Sequence, residues 1–247
     1  MNVALSSTTT TTSDRNGSLL RLRYWVGIAM ASVFGADVGD FISHVLHWGH
    51  WRGVLPLALM LWGVLHGRRK RWIGYEAGYW MAVVIVRAGA TNLADLADHD
   101  FDMNFYVLSF VLFALFMVSA LWKTPSQRSD VPGLPATGGA YWLSLFLAGA
   151  LGTVLGDEAS DQFGLLVASL ALSVVFVGLV LVRKMRPMQG KAGYWSMILA
   201  ARTAGTSAGD LIADKTLFGL AGSTAAIGLL MLATLWLWPR DNQVDAL

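Results

Sequence analysis

The sequence predicts an all-α fold, a polytopic membrane helix bundle of about eight transmembrane helices built from four tandem two-helix repeats, with both termini cytoplasmic. Three observations predict it. Of the 247 residues 55% are hydrophobic and 14% charged, and the mean hydropathy is +0.53, too apolar for a soluble domain. Tyr-Trp occurs four times, at Tyr24-Trp25, Tyr79-Trp80, Tyr141-Trp142 and Tyr194-Trp195, and an aspartate follows each tyrosine by sixteen residues: Asp40, Asp95, Asp157 and Asp210. Spacings of 55, 62 and 53 residues put one such unit in each quarter of the chain, the mark of an internal repeat. Each unit holds two apolar stretches of about 20 residues, the length that crosses a hydrocarbon core of roughly 30 Å.

Residues 1–21, with a Ser/Thr-rich run from Ser6 to Ser13, read as a disordered cytoplasmic tail. The apolar stretch that follows runs into the first repeat without a cleavage site, which speaks against a signal peptide. Repeats 1 and 2, residues 22–122, contribute helices at 22–43, 46–66, 77–97 and 103–122. In the second of these Trp51, Arg52 and Pro56 interrupt the apolar run, so a late start or a kink is expected there. Residues 123–139, carrying Pro125, Pro132, Pro135 and three glycines, form a polar cytoplasmic linker. Repeats 3 and 4, residues 140–238, supply helices at 140–158, 163–182, 193–212 and 217–238, and residues 239–247 form a cytoplasmic C-terminal tail.

Charge orients the bundle. Arg15, Arg21 and Arg23 precede the first helix; Arg68, Arg69, Lys70 and Arg71 lie between the second and third; Lys123 and Arg128 follow the fourth; Arg183, Lys184, Arg186 and Lys191 follow the sixth; Arg240 follows the eighth. All fall on one side, which the positive-inside rule makes cytoplasmic. Only Arg52, Arg87, Arg202 and Lys215 fall elsewhere. Eleven of the sixteen acids, Asp37, Asp98, Asp100, Asp102 and Glu158 among them, lie toward the opposite ends of the odd helices. The absence of cysteine removes disulfides, thiolate metal sites and cysteine nucleophiles. A net charge of +2, with the basic residues in short loops, speaks against nucleic acid and leaves the lipid bilayer as the expected partner.

Alignment on Tyr-Trp gives each odd helix one polar stripe at spacing four: Ser32, Ala36, Asp40, His44; Arg87, Thr91, Asp95, His99; Gly149, Thr153, Asp157, Asp161; Arg202, Thr206, Asp210, Asp214. That spacing keeps a set on one helical face, and a polar face inside a bilayer must meet protein or water. Small residues recur beside the stripes: Gly35 and Gly39, Ala90 and Ala94, Gly152 and Gly156, Gly205 and Gly209. Small residues four apart let helix backbones approach closely. An inner ring of odd helices packed through glycine, with the even helices outside, is the simplest architecture. Trp25, Trp80, Trp142 and Trp195 are expected as interfacial anchors at the cytoplasmic face. A rise of about 1.5 Å per residue then places the four aspartates roughly 24 Å across, and Arg87 and Arg202 about 12 Å in, near the bilayer centre. A lone charge there costs at least a few kcal/mol, so the aspartates of other repeats are expected to pair with the arginines.

The four tryptophans, with Gly39-Asp40, Gly156-Asp157 and Gly209-Asp210, carry a resemblance to a family of bacterial membrane proteins of unknown function, made of four tandem repeats of two transmembrane segments with a characteristic tryptophan. The resemblance covers residues 23 to 238, and repeat 2 departs from it with Ala94-Asp95. It implies eight helices and a multi-pass location in the bacterial inner membrane, and it brings no activity.

The residues themselves point to transport of a hard divalent cation, Mn²⁺, Mg²⁺ or Ca²⁺. Carboxylates, threonine hydroxyls and backbone carbonyls converging from several helices make an oxygen-only site suited to such an ion. Neighbouring carboxylates also favour one another's protonation, so the same groups can exchange protons for it. On this reading Asp40, Asp95, Asp157 and Asp210 are the ligands and Asp161 and Asp214 line the outer mouth. Thr91, Thr153, Thr206, His44 and His99 support them, and Arg87 and Arg202 act as counter-ions and gate. The arginines, present in repeats 2 and 4 only, suggest pairing of repeat 1 with 2 and of 3 with 4. No resident cofactor and no catalytic residue is assigned, and oligomers are compatible with the pattern. One alternative is a non-transporting structural or sensory protein held by Asp-Arg pairs. Another is a metal-dependent membrane enzyme using His44, His47 and His50 beside Asp40, although only His44 lies on the stripe. Glu76, before the third helix, reads as a solvated interfacial acid.

Overall fold

The computed structural model describes residues 22–122, 133–185, 190–215 and 219–237. The two tails, with Arg15, Arg21 and Arg240, the linker up to residue 132, with Lys123 and Arg128, and Arg186 lie outside the described residues. Within them the chain is all helical: α1 (Leu22–Asp40), α2 (Gly49–Arg69), α3 (Tyr75–Asp95), α4 (Phe105–Leu121), α5 (Gly139–Phe163), α6 (Leu165–Met185), α7 (Lys191–Lys215) and α8 (Gly219–Leu237). Helix α2 begins three residues later than the apolar run suggested and continues past Pro56. Sequence gave no sign that α1 and α3 would each pass, just beyond their aspartates, into one π-helical turn, Phe41–Val45 and Leu96–Asp100. Helices α5 and α7 run on as regular α-helix to Phe163 and Lys215.

The odd helices close into a ring in chain order, α1 on α3, α3 on α5, α5 on α7 and α7 on α1. The expected inner ring is present, and it is one ring rather than two repeat pairs. The even helices sit outside it, each chiefly on the odd helix of the next repeat: α2 on α3, α4 on α5, α6 on α7, and α8 back on α1. Their outer faces carry the exposed apolar side chains, among them Trp62, Phe110, Val174 and Leu232. No polar ladder relieves such a surface, so it belongs against lipid tails. Five of the helices, α1, α3, α5, α6 and α8, the first two with their π turns, are long and apolar enough to cross a membrane, and α4 is apolar but shorter. Helix α7 misses that standard because of its polar stripe, which faces into the bundle. The chain is a polytopic membrane protein.

Small residues make the ring closable. A Cβ on Gly35 would stand 2.6 Å from Arg87 Cβ, one on Gly152 2.7 Å from Arg202 Cβ, and one on Gly205 2.6 Å from Ser32 Cβ. Each of these glycines therefore meets the side chain eight residues after the tyrosine of the next repeat. Repeat 2 has Ala90 at this position, and its partner there is Gly149, whose own Cβ would stand 2.8 Å from Ala90 Cβ. The departure of repeat 2 from glycine is thus compensated by glycine in repeat 3.

Candidate functional site on the ring axis

At the tyrosine end the four hydroxyls form a closed square: Tyr24 to Tyr79 at 3.1 Å, Tyr79 to Tyr141 at 2.6 Å, Tyr141 to Tyr194 at 3.1 Å and Tyr194 to Tyr24 at 2.5 Å. Each hydroxyl can donate once and accept once around such a ring, so all four are satisfied together. The tryptophans complete it, each packing on the tyrosine of the preceding repeat: Trp80 on Tyr24, Trp142 on Tyr79, Trp195 on Tyr141 and Trp25 on Tyr194, with centroids 5.7 to 6.0 Å apart. Trp25, Trp80 and Trp195 are buried and Trp142 is half-buried. The belt expected of them is replaced by an interlocked aromatic plug, because an aromatic at a helix start can face a neighbouring helix as readily as lipid. Tyr79→Phe removes one corner and two of the four hydrogen bonds. It should lower stability by about 1–3 kcal/mol, read as a lower melting temperature in detergent; an unchanged one would show that the square contributes nothing.

Basic side chains pack around this plug. Arg68 lies 4.3 Å from the Tyr75 ring centroid and 5.7 Å from that of Trp142, and Arg183 lies 5.3 Å from that of Trp25. Glu76 is not the solvated acid expected of it: Arg23 donates to its Oε1 at 2.6 Å and also to the Leu235 carbonyl at 2.9 Å, joining α1, α3 and α8. One turn further along the axis stand Ile28, Val83, Leu145 and Ile198, all fully buried. They are apolar and hold no group that could carry an ion.

The next layer holds Ser32, Arg87, Gly149 and Arg202. Both arginines are fully buried, and their circumstances differ. Arg87 donates from Nε to the Ser32 carbonyl at 3.2 Å, from Nη1 to the Gly149 carbonyl at 2.9 Å and Thr153 Oγ1 at 2.7 Å, and from Nη2 to Thr206 Oγ1 at 2.6 Å. One guanidinium on α3 thereby ties α1, α5 and α7. None of the three nitrogens of Arg202 has a hydrogen-bond partner among the described residues. The expected Asp-Arg ion pairs are not formed there by either arginine; threonines and carbonyls take the place assigned to the aspartates. Thr91, Thr153 and Thr206 are buried in the layer above, with Ala36 in the fourth place.

The aspartates come next. Asp95 is buried, and Asp40, Asp157 and Asp210 are half-buried. The carboxylates of these three take no hydrogen bond from any described residue, whereas His50 Nε2 lies 4.0 Å from Asp95 Oδ2. At the rim Asp161 and Asp214 are exposed, and Lys215 pairs with Asp214 at 2.6 Å. His44 and His99 are exposed within the π turns. The spacing His44, His47, His50 does not assemble as a box. His50, on α2, instead lies between His44 and His99, with ring centroids 5.5 and 6.4 Å away, and its Nδ1 is 3.3 Å from Asp100 Oδ1. Among the described residues no three His, Asp or Glu side chains come together closely enough to hold a metal ion.

A second polar position, thirteen residues after the tyrosine, escaped the stripe reading because it lies on the flank of each odd helix. Asp37 is buried there and accepts from Ser223 of α8 at 3.2 Å, and its other oxygen has no partner. Asn92 accepts from Ser43, and Ser207 donates to the Gly156 carbonyl at 3.1 Å. The repeat alignment itself was the signal: Asp37, Asn92 and Ser207 are equivalent, with Val154 in repeat 3.

Residues 193–243, which contain repeat 4, match the family described as Repeat of Unknown Function (DUF347). The resemblance carried by the tryptophans and Gly-Asp pairs is borne out, and the other three repeats hold equivalent places in the ring. No curated protein and no solved structure matches the chain.

Proposed function

We propose that this protein is an ion transporter that carries a hard divalent cation, Mn²⁺, Mg²⁺ or Ca²⁺, along the ring axis in exchange for protons, and that it is not an enzyme. The observation that carries the reading is the division of labour between Arg87 and the aspartates. Arg87 is held by threonines and carbonyls, so Asp40, Asp157 and Asp210 keep their carboxylates unpaired and half-open to water at one end of the ring. Carboxylates set too far apart to chelate a bare ion suit one that keeps part of its water shell, as Mg²⁺ does. The fixed positive charge below them repels the ion, and the apolar layer and tyrosine square close the other end. Passage needs that end to open. The positive-inside rule, applied to the basic residues, favours a cytoplasmic tyrosine end and aspartates directed to the outside of a bacterial inner membrane.

In liposomes loaded with a metal-sensitive dye, Asp157→Asn and Asp210→Asn are expected to reduce Mn²⁺ flux at least tenfold while the protein reconstitutes normally. Wild-type vesicles that pass no Mn²⁺, Mg²⁺ or Ca²⁺ would sink the proposal. The sealed tyrosine end favours a second reading, a structural or sensory membrane protein. Loss of folded protein, rather than of flux, in the aspartate variants would support that reading.

A further inference from the structure

Arg202 needs a partner that the described residues do not supply. It sits at the middle of α7, fully buried, with Nε, Nη1 and Nη2 all without acceptors. Its repeat-2 equivalent, Arg87, uses all three nitrogens. In the ring order the two stand on opposite helices at one level, separated by Ser32 and Gly149, but the Arg87 guanidinium reaches up to the threonines Thr153 and Thr206, and Arg202 is left with no negative group beside it. Ser32 donates its hydroxyl to the Ile28 carbonyl at 2.7 Å, and its own carbonyl is already taken by Arg87. The four aspartates stand two helical turns away and on the far side of the threonine layer. An unpaired buried guanidinium is strongly unfavourable, because it loses hydration and gains neither charge nor hydrogen bonds in return.

We propose that Arg202 binds a small monovalent anion of the halide type at the centre of the ring. The surroundings decide the class. A guanidinium supplies charge and several N–H donors. The wall toward the tyrosine end is made of Ile28, Val83, Leu145 and Ile198. Such a site suits a weakly hydrated single charge. Sulfate or phosphate, with four oxygens to satisfy, would need more donors than the layer holds. The anion neutralises one of the two guanidinium charges and leaves Arg87 to face the aspartates. This site stands independently of the cation reading.

The test uses the full-length protein in detergent, melted in sodium chloride or bromide against sodium gluconate at equal ionic strength. Halide is expected to raise the wild-type melting temperature by roughly 5–10 °C at a hundred times its Kd. Arg202→Gln is expected to abolish the dependence, and Arg202→Lys to keep a weaker one. Equal melting of the wild type in halide and gluconate overturns the proposal, as does a halide response undiminished in Arg202→Gln, or stabilisation by acetate but not by halide. Should Arg202→Gln fail to accumulate, chloride-35 line broadening on the wild type decides. Excess broadening that iodide displaces supports the site, and its absence overturns it.

Discussion

Arg87→Ala is expected to cost about 3–5 kcal/mol and to leave little folded protein, because one side chain is removed from three helix contacts at once. The carbonyls of Ser32 and Gly149 and the hydroxyls of Thr153 and Thr206 lose this donor in the buried centre of the ring. The void left by the side chain adds its own penalty. Lysine should restore little, since a single ammonium cannot span the fork that reaches α1, α5 and α7. Arg202→Met is the contrast. It removes a charge that has no partner among the described residues, so in halide-free buffer its melting temperature is expected to equal or exceed that of the wild type. Size-exclusion profiles and melting curves of the two variants decide the matter: equal losses would mean that the difference between the arginines has no energetic weight.

Gly152→Ala should be among the most damaging single-methyl changes in the ring. The new Cβ would lie 2.7 Å from Arg202 Cβ and 2.9 Å from the backbone carbon of Arg202 and nitrogen of Thr203, so α5 and α7 must separate. Overpacking of this kind costs about 1–3 kcal/mol, and valine more. The ring also contains its own remedy. Gly152→Ala combined with Arg202→Gly recreates the pair that Ala90 makes with Gly149, and the double variant is expected to regain the part of the loss that the Cβ–Cβ contact causes, the backbone contacts with Arg202 and Thr203 remaining. Losses that simply add in the double-mutant cycle would show that the two positions do not meet.

The inner ring was legible because a stripe of Arg, Thr and Asp at spacing four can face only protein or water in a bilayer, whichever neighbour it meets. The neighbour itself was not legible. Nothing along α2 says that it packs on α3 rather than α1, and nothing in Tyr24-Trp25 distinguishes a lipid-facing belt from a ring of hydroxyls meeting on an axis. Pairing of Arg87 with aspartate was the natural expectation from charge alone. It fails because helical side chains reach only about one turn, and the threonines and carbonyls within that reach come first. His50 was discounted for lying off the stripe of α1, yet it belongs to α2, which carries it to Asp95 and Asp100 of the next repeat. The Glu76 contact with Arg23 crosses 53 residues of sequence, a distance over which periodicity carries no information.

The outward displacement of each even helix onto the following repeat bears on how the protein is made. Each odd helix is covered chiefly by the even helix of the repeat before it. As the chain leaves the ribosome and enters the bilayer, α3, α5 and α7 acquire the outer helices α2, α4 and α6 that precede them, whereas α1 waits for the last one. The seam is then joined by Ser223 to Asp37, by the Leu235 carbonyl to Arg23, and by Phe34 against Gly228, whose added Cβ would stand 2.8 Å from the Phe34 ring. These contacts join residues up to 212 positions apart, and such long-range closures are slow. Until they form, the nascent protein is an open arc with an unguarded polar edge in lipid, the stage at which quality control has the most to recognise.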